Sequence, residues 1–196
     1  MPRITASERD ATRRRLVDAA KTEFAERGLA GARFDQISLA AGHAKGTIYN
    51  YFPDKEALFF TIVEDWCSRL VAGFVPDPDR DAAGDLREIA RLDVEIARKD
   101  PALARVVINQ VPALTSTHHE AVTAAIAPGI DLLTGVVAAG QAAGRVTDAH
   151  RPGTLARLFL TTLSGIEQEA LGHDGDLTLD DVVDLVDRLC IDGLRP

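Results

Sequence analysis

"AKGTIYNYFPDKEAL", residues 44–58, decides how the rest of the chain is read. Lys45, Gly46 and Thr47 stand ahead of Tyr49 and Tyr51, the run breaks at Pro53, and it restarts on Asp54-Lys55-Glu56. Ile48 and Phe52 supply the apolar side, at the four-residue spacing that puts two side chains on one helical face. So short a segment with so little to bury presents its basic, amide and aromatic groups outward. The spacing predicts a short helix from Lys45 to Tyr51, which Pro53 cannot continue. Asp54 then caps a long helix through Val71, with Leu58, Phe59, Ile62, Val63, Trp66 and Leu70 on one side.

Upstream, a helix is expected from Ser7, with Asp10 completing the capping box and Leu16, Ala20 and Phe24 as its buried stripe. Gly28 supplies a left-handed stop. A short helix over Phe34–Ala41 turns Ile37 and Ala41 inward, and Gly42 turns the chain. Two short helices joined by a turn and braced by longer ones make a helix-turn-helix pattern. In that motif the second short helix enters the DNA major groove. Lys45 then reaches phosphate or guanine acceptors, Gly46 allows close backbone approach, and Thr47 offers a hydroxyl and a methyl. Tyr49, Asn50 and Tyr51 project toward base edges or phosphates. Lys55 sits in a first helical turn, where the dipole disfavours a cation, and a phosphate on that helix end reconciles the two. Arg13, Arg14 and Arg15 fan over a helix, so at most two of them face one partner.

Charge agrees with this reading. The chain has 196 residues and a net charge of −8, yet residues 1–55 carry +3 and residues 56–196 carry −11. A polyanion partner therefore belongs to the N-terminal quarter.

Beyond it, "VPDPDRDAAGD" (75–85) reads as a linker. Amphipathic segments follow at about 84–99, 101–111, 117–127, 129–143 and 152–171; "GHDGD" breaks the chain, and a last helix spans about 178–192. No convincing strand appears, so the fold class is all-α: a DNA-binding domain over 1–55, continuing into a connecting helix to about 74, then a bundle over 75–196. The last two helices carry apolar stripes wider than one packing face needs. Leu155, Phe159, Leu163, Ile166, Val182, Val186 and Leu189 are therefore candidates for a homodimer interface, an isologous four-helix bundle.

The N-terminal third resembles the tetracycline-repressor-like (TetR) transcriptional regulators. The resemblance is carried by "LVDAAKTEFAERGL" (16–29) and "FDQISLAAGHAKGTIYNYFPDKEALF" (34–59), with the all-helical remainder matching in layout. It implies a repressor that binds a palindromic operator in double-stranded DNA as a homodimer and releases it when the C-terminal domain takes a small effector and the fourth helix pivots. The family usually opens the second helix with Thr or Ser; here "GARF" stands instead, leaving Asp35 as the candidate cap and Arg33 as the candidate phosphate contact.

For the effector, Trp66 reads first as core but is a candidate pocket residue, and Gln110 is a candidate polar handle. Segments from Arg98 to Gly144 are apolar with few polar interruptions, which predicts a mostly apolar, neutral or weakly charged effector over a phosphorylated one. His118–His119 point to different sides of a helix with no partner ligands at metal spacing, so no metal is expected. The many acids read as solvated faces, such as "DLREIARLDVEIARKD" (85–100). With no catalytic motif, the chain is not expected to be an enzyme or to need a cofactor. Two distant cysteines, no apolar run approaching a membrane span and no signal-peptide core predict a cytoplasmic protein with no membrane partner. Two other readings compete: a DNA-binding regulator without a small-molecule effector, and an acidic helical binding protein that no longer touches DNA.

Overall fold

The structure, a computed structural model, describes residues 5–171 and 177–194. Among these residues there are eight α-helices and no strand. They are α1 (Ala6–Gly31), α2 (Phe34–Ala40), α3 (Lys55–Gly73), α4 (Ala82–Lys99), α5 (Pro101–Leu114), α6 (His119–Ala142), α7 (Pro152–Ala170) and α8 (Leu179–Val186). A 3-10 turn, Thr47–Asn50, lies between α2 and α3, and α8 runs on through a π turn (Asp187–Ile191) into a 3-10 turn (Asp192–Leu194). The expected break at "GHDGD" lies outside the described residues but for its flanks.

α1 starts two residues earlier than Ser7. Thr5 is its cap, accepting from the Glu8 N–H, while the Glu8 carboxylate takes the Thr5 N–H at 2.8 Å; this reciprocal pair outcompetes the Ser7–Asp10 alternative. Gly28 takes a left-handed φ of 66°, which interrupts α1 without ending it. The side chain of Gln110, from α5, fills the interruption. Its Oε1 accepts the Leu29 N–H at 3.1 Å, and its Nε2 donates to the Phe24 carbonyl. Gln110 is therefore committed to the backbone of α1 and is not a free handle in a pocket, which corrects that expectation.

α2 opens at Arg33 with no side-chain cap, so Asp35 does not cap it; the Glu23 carboxylate takes the Arg33 N–H at 3.0 Å instead. Gly42, at φ 80°, turns the chain, and the buried Ser38 hydroxyl donates to the Ala44 carbonyl at 2.6 Å to hold the turn closed. The expected helix over Lys45–Tyr51 is only the 3-10 turn Thr47–Asn50. The Thr47 and Tyr51 N–H groups bond three residues back, to Ala44 and Ile48, and two β-branched residues, Thr47 and Ile48, add no α preference. Ile48 and Phe52 are nonetheless buried, beside Leu16, Ala20, Phe24, Ile37 and Leu58. α3 begins on the Asp54 cap, whose carboxylate takes the Ala57 N–H at 2.7 Å, and buries the stripe read from its sequence.

The cluster that holds α1, α2 and the N-terminal half of α3 also contains Leu103, Val106 and Ile108 of α5 and Val122 of α6. A second cluster joins α4, α7, α8 and the C-terminal half of α6. Two polar ties reinforce the first. Lys21, buried in α1, binds Asp100 at 2.8 Å, and Arg69 of α3 reaches the same carboxylate at 3.5 Å.

The two segments expected at 117–127 and 129–143 form one helix, α6. Pro128 costs a hydrogen bond and crowds the carbonyl four residues back, but Val122 and Ala125 before it and Leu133 and Val137 after it are all buried, and that packing outweighs the cost. Merged in this way, α6 is long and apolar enough to cross a membrane, with mean hydropathy 1.7, contrary to the expectation that no run comes near a span. Its buried residues pack against α3, α4 and α7.

Gln110→Ala removes both bonds into the α1 interruption and leaves the Leu29 N–H unpaired. The expected cost is about 1–3 kcal/mol of stability, read as a lower urea midpoint with an unchanged slope.

Candidate functional site

Two places in this fold gather polar groups that the core does not explain. The first is the surface around the 3-10 turn. Lys45, Gly46, Tyr49 and Asn50 are exposed, with Tyr49 at 60%, while Thr47 and Tyr51 are half-buried. The Tyr49 ring meets Phe34 edge-on at 5.0 Å, which fixes the ring and leaves its hydroxyl outward. Lys45 and Arg33 share one acid, Asp35, at 3.4 and 3.7 Å. Both pairs are exposed and loose, so neither cation is bound tightly. Arg9 lies over the Tyr51 ring at 5.8 Å and Arg13 over Phe52 at 5.1 Å, so α1 adds cations beside the turn; Arg14 and Arg15 are exposed on the same helix. Of the sequence candidates, Arg33, Lys45, Gly46, Thr47, Tyr49, Asn50 and Tyr51 flank one turn. Lys55 is placed differently. Its ammonium donates to the Ala30 carbonyl at 3.0 Å, at the C-terminal end of α1, where the helix dipole welcomes a cation. That contact accounts for a lysine in the first turn of α3 without a phosphate.

The second place is an internal cavity of about 80 Å³ between α3, α4, α5, α6 and α7. Its wall is apolar apart from Cys67, Ser164 and two acids, Asp93 and Glu167. Trp66 lies in the same wall, and its Nε1 donates to Asp93 at 2.6 Å. Asp93 and Glu167 are 3% and 0% exposed, so the reading of residues 85–100 as a wholly solvated acidic face is wrong at Asp93. Neither Glu167 oxygen meets a donor among the described residues. What faces it is the Asp93 carboxyl, which can bond to it only if one of the two keeps a proton. Burial raises both pKa values; the Trp66 N–H works against the rise at Asp93, while the neighbouring Asp93 charge adds to it at Glu167. Burial likewise pushes the Cys67 thiol up to about 11, so it stays neutral. The sequence carried a signal for this pair. Asp93 sits in register with Leu86, Ile89, Ala90 and Ala97, and Glu167 beside Leu163 and Ile166, on stripes that should have been wholly apolar.

Of the candidate dimer residues, Leu155, Phe159, Leu163, Ile166, Val182 and Val186 are buried inside this chain's own core. The widths of those stripes are used up by α4, α6 and the α7–α8 contact itself. Leu189, 64% exposed, is the one that remains for a partner, beside Leu158 at 58%. His118, the residue before α6, meets the Thr117 hydroxyl at 2.8 Å. Among the described residues no three His, Cys, Asp or Glu side chains converge as metal ligands.

Residues 16–62 match the model of the bacterial regulatory proteins, tetR family. The chain is 38% identical over 76 residues to the HTH-type transcriptional repressor SCO4008 of Streptomyces coelicolor, covering 39% of this chain and 40% of that one. It is 33% identical over 114 residues to the HTH-type transcriptional repressor Rv1474c of Mycobacterium tuberculosis, covering 54% and 61%. The matches thus span 40% and 61% of these relatives' lengths, less than two thirds of either. The fold is that of the Bacillus subtilis transcriptional regulator FadR in complex with stearoyl-CoA, at TM-score 0.76 and 19% identity over 88% of this chain and 96% of that one.

The buried acids make stability depend on pH. Both folded-state pKa values lie above the ordinary values of 3.8 and 4.5, so above those values the folded chain holds more protons than the unfolded one. Stability therefore falls as pH rises through the folded pKa range. Denaturation from pH 5 to pH 8 is expected to show this decline, and Glu167→Gln, which cannot ionise, is expected to flatten it.

Proposed function

We propose that this chain, whose residues 16–62 match the tetR family model, is a ligand-responsive transcriptional repressor that binds a near-palindromic operator as a homodimer. The observation that carries the DNA reading is the outward row of Lys45, Thr47, Tyr49 and Asn50 on a turn whose other side, Ile48 and Phe52, is locked in the core. Lys45 and Arg33 are held by one half-buried acid, Asp35, at 3.4 and 3.7 Å, which phosphates can displace. Lys45 and Arg33 take phosphate or guanine acceptors, and Tyr49 and Asn50 read base edges. Residues 1–55 form the DNA-binding part, α3 leads out of it, and residues 75–196 bind effector and partner.

The cavity sits where it can act on that surface. Trp66, Cys67 and Leu70 in its wall belong to α3, whose first turn follows directly on the recognition turn. Ile108 and Val111 in its wall belong to α5, which holds α1 through Gln110. A molecule that fits one arrangement of α3 and α5 better than another biases the position of the DNA-reading turn. The mostly apolar wall favours a mostly apolar effector. The stearoyl-CoA of the Bacillus subtilis protein is not carried over, since no Lys or Arg lines this cavity among the described residues to meet its phosphates. A regulator without a small-molecule effector is the second reading. The observation favouring it is the cavity volume, about 80 Å³ against the several hundred of a drug-sized site.

For the partner surface, the exposed Leu158 and Leu189 border a groove with Thr162 and Leu194, and a second copy of the same face buries all of them.

Lys45→Ala and Tyr49→Phe are each expected to weaken binding to an operator selected from random duplexes by about 1–3 kcal/mol, with melting temperature unchanged. Fluorescence anisotropy at fixed salt reads this, and wild-type affinity in both variants sinks the assignment of the turn. Binding by the unaltered chain should weaken linearly in log salt, with a slope that grows by about 0.9 per phosphate neutralised.

Leu158→Asp combined with Leu189→Asp should shift the light-scattering mass from dimer to monomer while helicity stays constant. A dimer that survives both changes moves the interface elsewhere.

A further inference from the structure

We propose that the cavity between α3, α4 and α7 is a receptor for a small lipophilic ammonium ion, held by the carboxylates of Asp93 and Glu167. The proposal rests on the reading of this cavity as an effector site and names the chemical class that it takes.

Glu167 carries the argument. It is fully buried, lines the cavity, and has no donor on either oxygen. A buried carboxyl without donors is costly, and nothing in the ligand-free chain removes that cost beyond a proton shared with Asp93. A hydrocarbon or a neutral ether filling the cavity leaves Glu167 as it was. A carboxylate or phosphate adds a third acid to two, with no Lys, Arg or His among the described residues of the wall to offset it. A protonated amine reverses every term. Its N–H groups donate to oxygens that lack donors, its charge opposes theirs, and its alkyl body meets the apolar side chains of α5 and α6. Asp93 is already aimed by the Trp66 N–H at 2.6 Å, so one of the two acceptors is fixed before the ligand arrives. The volume limits the class further. About 80 Å³ is roughly half of an engineered apolar cavity that takes benzene, which suits a short alkylammonium or the charged end of a longer amine.

Binding exchanges one cation for another. The ammonium ion enters, the O–H bond of the protonated carboxyl breaks, and the proton leaves to solvent; no other bond changes. Affinity therefore rises with pH across the range where the pair loses its shared proton. Among the described residues, the other ionisable group facing the pair is Cys67 of α3, which stays neutral, with the exposed Glu64 acting on it from the same helix; α5 and α6 present uncharged side chains to the cavity.

The test uses the full chain and three ligands of matched shape: n-butylammonium, 1-butanol and butyrate. Calorimetry in two buffers of different protonation enthalpy should show n-butylammonium binding roughly tenfold or more tightly than 1-butanol, with release of up to one proton and with affinity increasing from pH 6 to pH 8. Butyrate should not bind. Glu167→Gln should keep its helicity and lose the preference for the ammonium ion over the alcohol. Equal or tighter binding of butanol or butyrate, no binding of any of the three, or an unchanged preference in Glu167→Gln overturns the proposal. The three-ligand comparison on the unaltered chain decides even where the variant misfolds. Operator binding by the ligand-free chain is measured beside it. A chain that takes the ammonium ion but never binds DNA retires the regulator reading and leaves the site standing; a chain that binds DNA without preferring the cation does the reverse.

Discussion

Gly28 opens α1 and Gln110 closes it. A left-handed residue inside a helix takes the Leu29 N–H out of the α ladder, and a buried N–H without a partner costs on the order of 1–3 kcal/mol. The partner comes from α5, 81 residues on, which also returns a donor to the Phe24 carbonyl. The head is therefore not a free module on a tether. Its backbone is incomplete until α5 is docked, and the same helix contributes Leu103, Val106 and Ile108 to the apolar cluster around Leu16 and Phe24. The Lys21–Asp100 pair at 2.8 Å works to the same end, and Asp100 also caps α5 through the Leu103 N–H. Position of α5 and shape of α1 are one variable.

That coupling gives the cavity its meaning. Allostery requires a ligand that binds two arrangements unequally, and an element that differs between them. α3 and α5 both line the cavity and both pack against α1 in the first apolar cluster, beside the turn proposed to read DNA. Unequal affinity is what the proposed cation site would add: buried together, Asp93 and Glu167 share a proton, and a cation between them would take its place.

Much of this was legible in the sequence, and the failures have physical causes. The apolar stripes of α1 and α3, the Gly42 turn and the Asp54 cap follow from spacing and cap chemistry, so they were readable. The recognition segment was read one class too regular, because a periodic Ile48–Phe52 pair does not separate a 3-10 turn from an α-helix. The segments at 117–127 and 129–143 were read apart because packing on both sides of Pro128 is not visible in a residue pattern. The dimer stripe was misjudged because a wide apolar face needs two neighbours, and both turned out to lie within the chain. Gln110 and Lys55 look like free polar groups in sequence, but their partners are backbone atoms, which no residue pattern encodes.

The acids at 93 and 167 show where pattern reading stops. On a helical wheel each is a single violation of an apolar stripe, and alone each would be read as an error of register or a tolerated charge. Only the fold brings α4 and α7 together and turns two violations into one cluster facing a void. Two costly burials on neighbouring helices, one of them without a donor, would be a pure loss of stability in a protein that had only to fold, since apolar side chains of similar size would pack there at lower cost. What such a pair offers in return is a charge that appears when its proton leaves, set in a wall shared with the helices that hold the head.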